Sequence, residues 1–327
     1  MATPPFRRRP QRKPGDPPAP VLAFCASTSP PPWKGHPLRT RHPRPAARRD
    51  ISDRLKLHRH DRRLDGRDYT VITPRPGTDV RFSTNNFHDT WHILSDLRGA
   101  RFIARLLWGL SYQRRPNTIV CIDPRFLDTN PFDAEPSDAI VFAPTPTSPF
   151  GAKAARDLDS RMPTGVGDGT VRWHTPGLDR FIDHTRHDVQ GAWDAWTAKE
   201  TGLHRHGDDL TITRRKGLLV FAAAPEILRT WALCAQRMSF AYFPMDYEYL
   251  DAWRTTHRGE TGELQVFAEY RRMVSTARIA RREVLSSSDA PSDPEHQRPA
   301  IWAHGDLVKR RSLRPRLGAD LTRTRPR

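Results

Sequence analysis

Residues 85–123, NNFHDTWHILSDLRGARFIARLLWGLSYQRRPNTIVCID, set the pattern that the rest of the chain has to fit. Asn85 or Asn86 is suited to cap a first helical turn, and Asp89 places a carboxylate near the positive end of a helix dipole. Apolar residues recur at Phe87, Trp91, Leu94, Leu97, Ile103, Leu106, Leu107 and Leu110, a spacing that predicts one long helix. Gly99 is its weak point, costing about 1 kcal/mol relative to alanine in a helix interior, and is where the run can divide. Pro116 ends it, because proline disfavours helix in the residue before it. Thr118 to Ile122 (TIVCI) is a short, β-branched apolar run suited to a strand covered on both faces.

The remaining elements fall around this unit. Asp68 to Thr73 predicts a first strand, followed by a loop over 74–86 carrying Arg75 and Arg81. Ala139 to Ala143 predicts another strand, of open direction because the loop before it is barely long enough for a parallel crossover. Residues 144–176 read as an irregular excursion with one short strand, Thr170 to Trp173. Helices are expected over 177–198, 225–239, 246–257 and 262–285, and a hairpin joins Leu210–Thr213 to Leu218–Phe221. Short apolar strands among amphipathic helices predict an α/β fold, a layered single domain over 64–285 with a mainly parallel or mixed sheet.

The formal charge of +17 is misleading about this body. Residues 1–63 hold sixteen Lys and Arg against four Asp and Glu, and residues 298–327 hold nine against two. Between them, twenty-nine basic residues meet thirty-one acidic ones, so the ligand of the body cannot be inferred from the basic pI. Thirteen of the thirty-one prolines precede residue 50, and with so little apolar surface to bury, residues 1–63 are expected to be disordered. Residues 286–327 are expected to form a second disordered, basic tail.

Such tails suit nonspecific contact with nucleic acid through residues 1–63 and 298–327, which makes a nucleic-acid-associated protein one alternative function. A competing reading is compositional. Arginine outnumbers lysine forty-seven to seven, as GC-rich bacterial coding DNA produces, and a start assigned too far upstream would add such a leader.

Cysteine usage is sparse. Cys25, Cys121 and Cys234 form no CxxC pair, and the last two lie in apolar patterns, which favours a reducing, cytoplasmic setting. No apolar run approaches the ~18 residues of a membrane span. Arg7-Arg8-Arg9 ahead of Val21–Cys25 is a poor export signal, its apolar core being short and interrupted by proline.

In open α/β sheets, ligands bind beyond the carboxyl ends of strands, and this gives the main expectation for a site. The loop after strand 68–73 would deliver His88, Asp89 and His92 (FHDTWH) to that edge, and a parallel strand 118–122 would bring Asp123 and Arg125 there too. On a helix, His88 and His92 share a face, so with Asp123 they could ligate one divalent metal ion, Asp89 acting as general base of a metal-dependent hydrolase. The spacing resembles HExxH logic with Asp in place of Glu and no third-ligand motif, and with fourteen histidines chance pairs are common. The same edge suits an anion held by Arg75, Arg81 or Arg125.

Gly165-Val166-Gly167-Asp168-Gly169 lacks the strand-then-helix context of a phosphate loop and reads as a turn. His184/His187 and His204/His206 read as solvated positions. Tyr242, Phe243, Tyr247, Tyr249 and Trp253 could stack sugars or bases, although such sets more often pack helices. The arginine face of 262–285 reads as solvated, since glutamates are interspersed.

Overall fold

The structure, a computed structural model, describes residues 55–175, 177–178, 210–251 and 260–319. The sequence pattern resolves into two sheets rather than one. The larger has seven strands in the order β7-β1-β2-β5-β6-β9-β8, comprising β1 (Leu55–Leu64), β2 (Arg67–Thr73), β5 (Thr118–Ile122), β6 (Ala139–Pro144), β7 (Gly169–Trp173), β8 (Thr211–Arg215) and β9 (Leu218–Ala223). The smaller has the order β10-β11-β4-β3, from β3 (Phe82–Phe87), β4 (Thr90–Ser95), β10 (Met245–Tyr249) and β11 (Thr261–Phe267). Both are mixed: β2 with β5, β6 with β9 and β4 with β11 run parallel, and the other pairs are antiparallel.

Among the described residues, three hairpins close through two-residue turns. Asp65-Gly66 (φ +48° and +70°), His88-Asp89 (+50° and +59°) and Lys216-Gly217 (+52° and +77°) have both central residues in the left-handed region, as type I′ turns require. Two of them use the glycine that makes such a turn cheap. His88-Asp89 does not, and its signal is correspondingly faint.

That turn overturns the long helix. Residues 82–95 form the β3–β4 hairpin, and α1 spans only Leu97–Ser111, capped by Asp96, whose carboxylate accepts from the Gly99 amide at 2.8 Å. Apolar residues at Trp91 and Leu94 fit a helical stripe by spacing alone, but in the strand they lie on opposite faces. At Gly99 a Cβ would sit 1.8 Å from Ser95 Oγ, so the helix packs there only without a side chain.

α1 and α3 (Pro225–Arg237) fill the space between the sheets. Their buried side chains share one core with Ile72, Val120, Phe142 and Phe221 of the larger sheet and Trp91, Ile93, Leu264 and Val266 of the smaller. α2 (Ala152–Ser160) covers the other face of the larger sheet through Ala154, Ala155 and Leu158, in a stretch expected to be irregular. α4 (Tyr270–Leu285) covers part of the smaller sheet's outer face through Tyr270 and Val274, packed on Leu94 and Phe267. These layers make an α/β fold, and all of the described residues fall in one compact unit.

Other expectations need correction. Residues 261–267, predicted as the start of helix 262–285, are strand β11, and 245–249 are strand β10 where a helix over 246–257 was expected. The remainder of that stretch, 252–259, lies outside the described residues, as does nearly all of the expected helix over 177–198. The body starts at or before Leu55, not at Leu64, because β1 pairs along its length with β2 and β7.

Residues 294–319 form α5, where an unstructured tail was expected. One stripe of α5 is half apolar and half ionic: Ile301 and Val308 pack with Ala280 of α4, while His304 and Arg311 both reach Glu283. Arg298 adds a two-point bond to Glu135, at 3.0 and 2.9 Å. Hydropathy sees only half of this stripe.

Candidate functional site

The parallel register of β2 and β5 places the ends of both strands on one edge of the larger sheet. Pro74 and Arg75 leave β2 there, and Asp123 leaves β5. Because β1 runs antiparallel to β2, its beginning arrives at the same edge, with His58 paired to Thr73. Alternation then puts His58, His60 and Arg62 on the face of the sheet that carries Thr73, Val71 and Cys121.

His60 is fully buried, and its ring is anchored at both nitrogens. Nε2 lies 3.1 Å from Thr73 Oγ1, and Nδ1 lies 3.4 Å from Arg62 Nη2. A guanidinium can only donate, so Nδ1 accepts and Nε2–H donates to the threonine hydroxyl. Burial, then the Arg62 charge, push the His60 pKa down, consistent with a neutral ring. Arg62 is itself held by Asp168 at 2.9 Å, a carboxylate that also accepts from the Asp61 amide.

His58 stands beside it, the two ring centroids 6.0 Å apart. Its pKa is lowered by burial first, then by the positive charges of Arg75 and Arg125, with Asp123 opposing them. The ring is only partly covered, yet its Nδ1 is buried without a hydrogen-bond partner. The glycine-rich string closes against this residue: a Cβ on Gly167 would meet His58 Cβ and Arg59 O at 3.0 Å. The string is irregular backbone, open at Gly165 and Val166 and close-packed at Gly167, and Gly169 opens β7.

Asp123 is fully buried at the strand end and caps the 3₁₀ turn Pro124–Phe126. It accepts from Arg125 at the amide (3.0 Å), Nε (2.8 Å) and Nη2 (2.9 Å), which keeps the guanidinium firmly charged. Arg81 donates to the Arg125 carbonyl at 2.6 Å. Arg75 is exposed in the turn that Thr78 closes back onto its carbonyl. So the predicted basic residues Arg75, Arg81 and Arg125 and the predicted carboxylate Asp123 gather at one rim. Cys121 lies below them, its thiol pushed far up by burial.

The predicted metal set does not gather. His88 and Asp89 sit at the exposed tip of the β3–β4 turn, and His92 lies in β4 with its Nε2 3.3 Å from Glu263. The helical spacing that put His88 and His92 on one face does not exist, and Asp123, committed to Arg125, belongs to the other sheet. Asp89 at the turn tip likewise loses the neighbours a general base would serve. Among the described residues, no group of three or more His, Cys, Asp or Glu is placed to hold a metal ion. His184, His187, His204 and His206 lie outside the described residues.

His58 and His60 are what the sequence reading missed, because β1 fell inside the presumed disordered segment. The available signal was short: Leu55 and Leu57 alternate just ahead of an Asp65-Gly66 turn and a second strand. No helix among the described residues is long and apolar enough to cross a membrane. Comparison with protein-family models, with curated proteins and with solved structures gave no match.

Proposed function

We propose that this is a ligand-binding α/β protein whose strand-end rim takes a small anion, a phosphate or carboxylate group, between His58, Arg75 and Arg125. The observation that carries this reading is the excess of donors at the rim. The Arg75 guanidinium and Arg125 Nη1 have no hydrogen-bond partner among the described residues, and His58 Nδ1, a donor in the Nδ1–H tautomer that an anion selects, is buried without one. A buried polar atom left unpaired costs about 1–3 kcal/mol, so a group that accepts from all three is favoured there. Asp123 supports the site without filling it, because its oxygens are spent on Arg125.

Calorimetric titration with inorganic phosphate and with citrate tests the reading, with a neutral sugar as control. The expected result is saturable binding of at least one of the two anions. It weakens as salt is added and drops by roughly tenfold or more in Arg75→Ala, the scale of one lost charge-assisted contact. Because Arg75 is exposed, the variant should melt at the wild-type temperature. Absence of binding by either anion, or equal binding by the variant, rejects the reading.

A further inference from the structure

Where α1 ends, it borders a cavity of about 430 Å³ that shares no lining residue with the rim. That volume falls within the roughly 300–1,000 Å³ of small-molecule sites. Trp108 in the last turn of α1 and Tyr112 just after it are four apart, so they share a side of the helix, with ring centroids 5.4 Å apart. Trp173, the last residue of β7, supplies a third ring.

Two glycines let backbone close on the indoles. A Cβ at Gly109 would fall 2.4 Å from Trp173 Cε3, and one at Gly177 would fall 3.0 Å from Trp108 Cζ2. Trp108 and Trp173 are held this way with 9% and 6% of their surface left open. Tyr112 is 56% exposed, and Arg229 Cζ lies over its ring, 5.3 Å from the centroid.

The polar groups of the wall are mostly donors. Among the described residues, neither the Trp108 nor the Trp173 indole N–H has a hydrogen-bond partner. Gln113 spends one amide hydrogen on the Gly109 carbonyl at 2.9 Å and has a second to give. Arg172 is exposed and pairs with no carboxylate among the described residues. No Asp or Glu lines the cavity. A ligand that matches these walls has a flat apolar ring for the aromatic side chains and one anionic group for the arginine. A carboxylate fits a guanidinium fork two-point, whereas an anion without a ring leaves the aromatic wall unused. We infer that this cavity binds an aromatic carboxylic acid, its ring against Trp108, Tyr112 and Trp173 and its carboxylate on Arg172.

The test is titration of the full chain with benzoate, phenylacetate, 1-naphthoate and indole-3-acetate, each beside its neutral amide, read by calorimetry and by the indole N–H resonances of Trp108 and Trp173. The expected result is saturable binding of at least one acid that moves both resonances, with its amide roughly tenfold weaker or more. Arg172→Ala weakens the acid by a similar factor, and Tyr112→Ala by roughly three- to tenfold, the scale of one ring contact. Both side chains are exposed, so both variants should melt near the wild-type temperature. Arg75→Ala leaves binding unchanged, which separates the cavity from the rim. Four silent acids, binding indifferent to Arg172→Ala, or an equal loss in Arg75→Ala overturn the proposal. So does adenosine monophosphate moving the same resonances at lower concentration than any of the acids.

Discussion

Asp123 and Arg125 bind each other three times, through the amide, Nε and Nη2 of the arginine, although only one residue separates them. The carboxylate is fully buried, while the guanidinium keeps 29% of its side-chain surface. The pair ends β5, starts the turn that follows, and fixes one arginine of the rim with a nitrogen to spare.

Removing that carboxylate leaves a half-buried cation without its partner. Asp123→Ala is expected to lower stability by about 2–4 kcal/mol, at or below the usual cost of breaking a buried pair because Arg125 still reaches water. Asp123→Asn, which keeps an acceptor for the Arg125 amide, should cost less. Urea denaturation of the two variants checks both the size and the order.

The β3–β4 turn should be improvable. His88 and Asp89 adopt left-handed φ values without glycine, and both are exposed. Replacing them together by Asn-Gly, the preferred pair for this turn, is expected to stabilise the fold by about 1 kcal/mol after the Phe87–His88 ring contact is lost. Because neither side chain belongs to the rim, phosphate binding should be untouched. Thermal melting and the anion titration on the double variant test both halves.

Gly99 should respond in the opposite sense to helix propensity. Alanine gains about 1 kcal/mol inside a free helix. Here its Cβ would lie 1.8 Å from Ser95 Oγ and 3.0 Å from Phe82 Cε1, and that hydroxyl is bonded to the Arg81 carbonyl at 2.6 Å. Overpacking of this kind costs about 1–3 kcal/mol, so Gly99→Ala is expected to destabilise, as a chemical denaturation midpoint would show.

Both rim histidines have pKa values below the ordinary 6.5 in the folded chain. Protonation therefore favours the unfolded state. Their contribution is complete above pH 6.5 and is lost as pH falls from there through the folded values. His60→Gln should flatten the loss of stability between about pH 7 and pH 5, because glutamine has no proton to gain. Melting curves across that window measure the slope in each protein.

Much of the larger sheet was legible in the sequence. TIVCI, AIVFA and LLVF are buried on both faces and announce themselves as apolar runs, and Lys216-Gly217 marks its hairpin. The smaller sheet was hidden for a physical reason. Its outer face carries Asn85, His92, Glu263 and Gln265, so β4 and β11 look amphipathic with a spacing that a helix also satisfies, and α1 and α4 follow each of them almost without a break. The turn that would have separated them, His88-Asp89, lacks glycine. β1 was lost among arginines because its exposed positions and the rim-facing His58 and His60 are all polar. The parallel pairing of β2 and β5 was the inference that mattered for the site. It brought Arg75, Arg81, Asp123 and Arg125 to one edge, whereas the His88–His92 pairing failed with the helix on which it depended.

The most direct test of the rim is the nitrogen spectrum of the His58 ring during titration with inorganic phosphate at pH 7. The proposed site predicts that the Nδ1 resonance of His58 moves and saturates in the wild type, needs roughly tenfold more phosphate or more to move in Arg75→Ala, and leaves the anchored His60 ring almost unmoved. A His58 resonance indifferent to phosphate, or one that shifts equally without Arg75, would contradict it.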